Sequence, residues 1–531
     1  MKAKLVVVVL LGASAASAQT PGPSDLVSIS VVHAATRVRP QTPETGLAPG
    51  SLCEVDVSRL YAPRGSLLPD DPVTLRFRAP GAGEAREMTV LAARTSFPGI
   101  SSGFTALVPP DTPLGQAVVI AVAASGVLYS TSVWITGSNF GVFTDAYGGN
   151  GAALAQVWRG DPLKVGLTTP VQAGEWITLW GTGLGSARAS AVTVEVAGIG
   201  VAPDYAGPAP GLAGVDQINF RFPAGVPDDC YIPVAVNVGG RIGNTPTIAA
   251  AGMPGPCRHR LGLSPEALST LDQGGSVPLS QNSFVSGLSP DEWGRYRRDE
   301  AVTLLFLELY APGVQAITGA LSAQTTGCRI SQNAIAAGIL SPRAFDAGLP
   351  MVVGSTGVRL PMEGGHGFYS RTFSAMTYVP AAIPASFFVT GDWWVNVPGG
   401  KDIAAFQAGL RIPPMLRWTN RASVSTVSRE KDLTLTWDSA GYTDREWVQA
   451  GVYAGSAAAF CQAPATAGSI TIPAALISQL PGGGSAAARV QLTLSPARDE
   501  PALYTVPLVG GGTFPGVFSL GYSDTEPAEL R

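Results

Sequence analysis

"GEWITLWGTGLGSA", residues 174–187, opens as a strand and then meets three glycines, Gly181, Gly183 and Gly185. Either those glycines cradle a phosphate or they turn the chain. A phosphate loop leads into a helix N-terminus, through G-x-G-x-x-G spacing or a Gly-Lys-Ser/Thr ending, because the first-turn N–H groups are what hold the anion. Here Gly185 is followed by "SARASAVTVEV", which reads as a turn and another strand. The glycines therefore turn a β-chain.

The same alternation extends outward on both sides. "VTLRFRA" (73–79), "MTVLAA" (88–93), "AVVIAVA" (117–123), "VTVEVAG" (192–198), "DQINFRF" (216–222) and "IPVAVNVGG" (232–240) are short strands separated by Gly/Pro turns, the pattern of a β-sandwich rather than of βαβ units. The 64 glycines and 44 prolines of the 531 residues fall between such runs, and with 46% apolar and 14% charged residues the chain has ample material for several cores. An internal echo supports tandem units: "LAPGSLCEVDVSRLY" from Leu47 and "VQAGEWITLWGTGLG" from Val171 each enter a strand from a Gly turn, and each is followed some fifty residues later by a Pro-containing strand pair. In the second half "AVTLLFLELY" (301–310), "MVVGSTGVRL" (351–360), "GDWWVNV" (391–397), "KDLTLTWDS" (431–439) and "ARVQLTLS" (488–495) continue the β pattern. Two helical pieces are expected, one capped by Ser264-Pro265-Glu266 and one within "SPDEWGRYRRDE" (289–300). The expected fold is all-β: tandem immunoglobulin-like β-sandwich domains at 19–140 and 141–258, a β-rich domain with short helices at 259–420, and a C-terminal sandwich-like domain at 421–531.

Residues 1–18 have the form of a secretory signal: Lys2 and Lys4, an apolar run from Leu5 to Leu11, then Ala16-Ser17-Ala18, with cleavage expected between Ala18 and Gln19. That run is too short to span a bilayer, and no later apolar stretch reaches about 18 residues. A secreted protein, extracellular or periplasmic, is expected. Without Lys2 and Lys4 the 34 basic residues become 32 against 38 acidic, a formal charge of −6 with scattered signs, which speaks against nucleic acid as a partner. In an oxidising compartment five cysteines give two disulfides and one thiol. Sequence proximity pairs Cys230 with Cys257, leaves Cys328 with Cys461, and makes Cys53, in an apolar strand, the odd residue.

"PVQAGEWITLWGTGLG" (170–185), "YAGPAPGLAGVDQINFRFP" (205–223) and "IPVAVNVGGRIGNTPTIAAA" (232–251) together resemble the Solibacter-type C-terminal domain family of secreted acidobacterial proteins. "FDAGLPMVV", "GGKDIAAFQAGLRIPPMLRWTN" and "AFCQAPATAGSITIPAALISQLP" are similar to a further region of such proteins. The resemblance implies extracellular Ig-like sandwiches and no mechanism; in it Gln217 and Asn219 read as packing positions.

Chemistry-bearing constellations are sparse. "GISSG" (99–103) satisfies G-x-S-x-G around Ser101, but Pro109, Pro110 and Pro113 leave no helix after it, as a nucleophile elbow requires. His33, His259 and His366 are dispersed without metal-ligand spacing. Asp70-Asp71, Asp228-Asp229 and Asp402 form no calcium loop, and nothing couples Asp346, Glu363 and Asp392 as a hydrolytic pair. No catalytic, cofactor or metal residues are assigned. Tryptophans gather at Trp393, Trp394, Trp418, Trp437 and Trp447; adjacent strand residues face opposite ways, so one of Trp393 and Trp394 faces outward as a candidate ligand contact. The expected function is non-enzymatic: adhesion, surface display or extracellular interaction, the alternative being a glycan-binding module or an accessory of extracellular polysaccharide processing. The partner is an extracellular protein or polysaccharide.

Overall fold

A computed structural model describes residues 27–59, 73–97, 101–123, 128–145, 149, 151–291, 295–319, 327–331, 343–376, 386–443, 445–455, 457–480, 486–496 and 503–531. Strands dominate throughout and helices are few and short. The predicted cleavage site Ala18/Gln19 and Asp70-Asp71 lie outside these residues.

The first unit is a sandwich of two four-stranded antiparallel sheets. One runs Val27–His33, Leu52–Arg59, Ser101–Leu107, Thr89–Phe97; the other Arg86–Glu87, Val73–Arg78, Gly115–Ala123, Leu128–Ile135. Inward positions Val55, Leu75, Phe77, Val119 and Val133 close the core between them, as the two-residue period of a strand requires. In the second unit the sheet Asp161–Lys164, Ala155–Arg159, Trp176–Thr182, Asp216–Arg221, Tyr205–Pro208, with Gly141–Val142 also on Trp176–Thr182, faces a sheet built on Val192–Val196 and Asp229–Val238. Val157, Ile177, Leu179, Ile218 and Phe220 point into its core and meet Val194, Val234 and Val236.

The remainder departs from the predicted division at residue 420. Ser276–Pro290 and Tyr296–Tyr310 form a hairpin of two 15-residue strands, and Thr513–Leu530 lies parallel to the first of them, with Ser280 opposite Gly516 and Leu288 opposite Asp524. A twelve-stranded sheet thus joins 276–310 to 446–530, and one apolar core gathers residues from Phe284 to Leu530 together with Ala235 and Ile242 of the second unit. Residues 259–420 and 421–531 are one unit. Pairing between strands over 200 residues apart leaves no local mark in the sequence.

The expected helical piece at 289–300 is corrected too: it holds the end of one long strand and the start of the next. The largely apolar stretch "VTLLFLEL" has a reason here, since Val302, Leu304 and Phe306 enter the large core while Leu305, Leu307 and Leu309 enter a second one beneath helix Pro265–Asp272. That helix forms as expected. Ser264 Oγ accepts the Ala267 N–H at 3.3 Å, and Leu268 and Leu271 are buried.

Candidate binding surface

The opening glycines serve a junction between units. Gly183 has φ +103° and Gly185 φ +57°, and a Cβ on Gly181, Gly183 or Gly185 would lie 2.3, 2.2 or 2.1 Å from the carbonyl oxygen of Gly141, Asn139 or Gly137 respectively. The bare backbone is what lets the connector from the first unit lie against the second. Leu52 N–H donates to Thr182 Oγ1 at 2.9 Å, Thr182 Oγ1–H to Gly214 O at 2.6 Å, and Asn139 Nδ2–H to Gly46 O at 2.8 Å.

The predicted site residues are scattered. Trp393 is corrected as a ligand contact: it is 1% exposed, donates Nε1–H to Val389 O at 3.0 Å, and sits edge-on to Phe284 and Phe388. Inward alternation with Val395 and Val397 puts it in the core. Trp394 is on the opposite face and half-buried. Trp418 and Trp437 are buried, their Nε1–H groups given to Asn420 Oδ1 and Ala465 O. Cys230 is bonded to Cys257 and Cys328 to Cys461, with which it is directly opposed on paired strands. Cys53 is a free, buried thiol, pushed up to about 12 by burial and then by the Glu54 charge.

Ser101 begins a seven-residue strand, not a strand-to-helix turn. His33 Nδ1 accepts from Ala35 and Thr36 N–H, and His259 Nε2 meets Tyr231 OH at 3.2 Å; burial lowers each to about 4. His366 lies on a left-handed turn at φ +51°. Asp229 pairs with Arg260 and Asp402 with Arg343. Of the three candidate hydrolytic carboxylates, Asp346 accepts the Gly348 N–H, Glu363 pairs with Arg371, and Asp392 lies opposite Arg411 of the edge strand Phe406–Ile412.

A charged cluster that sequence reading missed lies inside the last unit. Arg421 reaches Asp524 at 2.5 Å and Glu526 at 3.2 Å, beneath the rings of Tyr296 and Trp418. Burial pushes the Asp524 carboxyl up to about 6, against the pull of Arg421 and Arg298. Glu300 accepts from Phe387 N–H at 2.6 Å and from Ser386 hydroxyl. These ion pairs and hydrogen bonds tie the chain around residues 386–387 and 421 to the long strands.

The feature that faces solvent is the outer side of the second unit's larger sheet. Cross-strand register sets three rows on it: Pro162, Trp158, Trp176, Arg221; then Lys164, Gln156, Thr178, Asn219, Tyr205; then Trp180, Gln217, Gly207. Trp158 is 47% exposed and Tyr205 39%. A hydrogen-bond relay crosses three strands. Trp158 Nε1–H donates to Thr178 Oγ1 at 3.0 Å, Thr178 Oγ1–H to Asn219 Oδ1 at 2.9 Å, and Gln217 Nε2–H to the same oxygen at 3.0 Å.

Tyr205 donates its OH to Pro208 O at 2.7 Å, and its ring lies across Gly207, where a Cβ would come within 2.9 Å of the hydroxyl oxygen. Arg221 covers the Trp176 ring at 4.2 Å. Gln217 and Asn219 are half-buried on this outward face. The sequence carries a usable mark of this face: in "QVW", "WITLW" and "QINFR" the outward positions are aromatic, amide or hydroxyl with a single charge, where an ordinary solvated strand carries Lys and Glu.

No family model and no curated protein matches the chain. Among solved structures it is similar to SGBP-B of the Bacteroides ovatus mixed-linkage glucan utilization locus in complex with a mixed-linkage heptasaccharide, at 8% identity over 77% of this chain and 78% of that one, TM-score 0.14. It is also similar to the Escherichia coli adhesin FdeC, at 13% identity over 72% and 96%, TM-score 0.14, and to the ICAM-5 D1–D4 ectodomain fragment, at 13% over 95% and 99%, TM-score 0.14. Likenesses of this size carry nothing about ligand or activity; the tandem all-β architecture stands on the sheets themselves.

Proposed function

We propose that the chain is an exported, non-enzymatic multidomain β-protein that binds polysaccharide on the outer face of its second unit. The observation that carries the reading is the exposed Trp158 and Tyr205 pair flanking a hydrogen-bonded amide relay. Aromatic faces attract the C–H side of a sugar ring, while amides meet its hydroxyls. The signal-like N-terminus and two disulfides support work outside the cytoplasm. Glycan binding thereby moves ahead of protein-mediated adhesion. The test is affinity electrophoresis of residues 19–531 in gels cast with soluble plant, fungal and bacterial polysaccharides. Retardation that Trp158→Ala abolishes and Trp394→Ala leaves intact supports the reading; no retardation in any gel overturns it and returns protein-mediated adhesion to first place.

A further inference from the structure

The polysaccharide reading leaves open what kind of polymer the face accepts, and its charges and ring placements narrow that. We infer, on the basis of that reading, that the ligand is an uncharged linear polysaccharide lying across the strands, stacked at one end on Trp158 and at the other on Tyr205.

Charge comes first. Arg159, Lys164 and Arg221 border the face, and each of them is engaged within the protein. Arg159 pairs with Glu175 at 2.6 Å and donates to Pro170 O. Lys164 pairs with Asp145 at 2.9 Å. Arg221 lies over Trp176 and donates to Gly174 O. A surface for uronate, sulfate or phosphate groups offers cations to the ligand, whereas these are already neutralised or stacked.

Ring placement comes second. The Trp176 face is occupied by Arg221 and Trp180 is half-buried, so the exposed rings at the two sides of the sheet are Trp158 and Tyr205. Trp158 is on Ala155–Arg159 and Tyr205 on Tyr205–Pro208, three strand positions apart; at ordinary strand spacing that is about 14 Å, the reach of about three successive pyranose units. Both rings are held in place before any ligand arrives, Trp158 by Thr178 and Tyr205 by Pro208 and the missing side chain of Gly207. Preorganised rings lose little entropy on binding.

Polar groups come third. The relay uses the Asn219 amide oxygen twice and the Gln217 amide nitrogen once. Asn219 Nδ2 and Gln217 Oε1 remain, a donor and an acceptor between the two rings, suited to the hydroxyls of the middle sugars. Both amides project from Asp216–Arg221, two residues apart and beside the Tyr205 strand, while the next position toward Trp158 is the buried Thr178.

The test uses the mature chain with neutral polymers (mixed-linkage glucan, xylan, galactomannan) and acidic ones (polygalacturonate, alginate), followed by calorimetry with oligosaccharides of two to six units from whichever polymer binds. The expected result is binding of a neutral polymer, insensitive to salt, with affinity rising to a chain length of about four units and then levelling. Trp158→Ala and Tyr205→Ala each weaken it by about tenfold or more, with melting midpoints unchanged, and Trp158→Phe restores part of the loss.

Binding confined to acidic polymers and erased by salt overturns this inference while the polysaccharide reading survives. So does binding that Trp158→Ala abolishes and Tyr205→Ala leaves untouched. Failure of every polymer defeats both.

Discussion

Asn139 and Gly183 hold two domains together through their backbones: Asn139 N–H donates to Gly183 O at 2.9 Å, and Asn139 O lies 2.2 Å from where a Gly183 Cβ would be. The φ of +103° at Gly183 is open to glycine alone. Gly183→Ala is expected to cost about 2 kcal/mol or more, since both the backbone conformation and the contact oppose a side chain. Urea unfolding measures it, and an unchanged midpoint would remove the junction role.

Trp393→Ala is expected to destabilise the last unit by about 3–5 kcal/mol, the usual cost of deleting a large core aromatic, because the ring is 1% exposed among Phe284, Phe387 and Phe388. Trp394→Ala, on the half-buried face, should cost far less. Equal losses in the two melting curves would contradict the assignment of faces.

Thiol titration of the mature protein should find no reactive thiol in the native state and one after denaturation, because Cys53 is buried with its thiol pushed up to about 12 while the other four cysteines are paired. Five thiols after denaturation would sink both cross-links.

Acid stability is expected to reflect opposing groups. His33 and His259 are held neutral down to about 4 by burial, below their unfolded value, so unfolding takes up protons and stability falls as pH drops from about 6.5 toward 4. Asp524, raised to about 6, stays protonated in the fold where the unfolded chain is ionised. It therefore adds stability as pH falls from about 6 to 4. Asp524→Asn deletes that compensation, so the variant should lose about 1.4 kcal/mol more per pH unit than wild type across that window. Chemical denaturation between pH 4 and 7 reads the difference, and parallel curves would refute it.

Much of the architecture was legible because strand formation is local. Alternation marks Val73–Arg78, Trp176–Thr182 and Asp216–Arg221, turn glycines separate them, and Ser264-Pro265-Glu266 announces its helix. Reading failed where the outcome depends on distant partners. Nothing local tells that Thr513–Leu530 will lie parallel to Ser276–Pro290, or that residues 289–290 and 296–300 belong to two long paired strands.

The surface was misread for the same reason. By itself the sequence determined that Trp393 and Trp394 face opposite ways and that Trp158, Trp176 and Trp180 lie opposite Val157, Ile177 and Leu179, because a two-residue period is a property of the strand alone. Only tertiary structure decided which outward rows meet solvent. The aromatic shell of Phe284, Phe387 and Phe388 buries Trp393, while no second layer covers Trp158 and Tyr205. The chain's own periodicity assigns a side chain to a face, and exposure of that face is set by whichever distant segments pack against it.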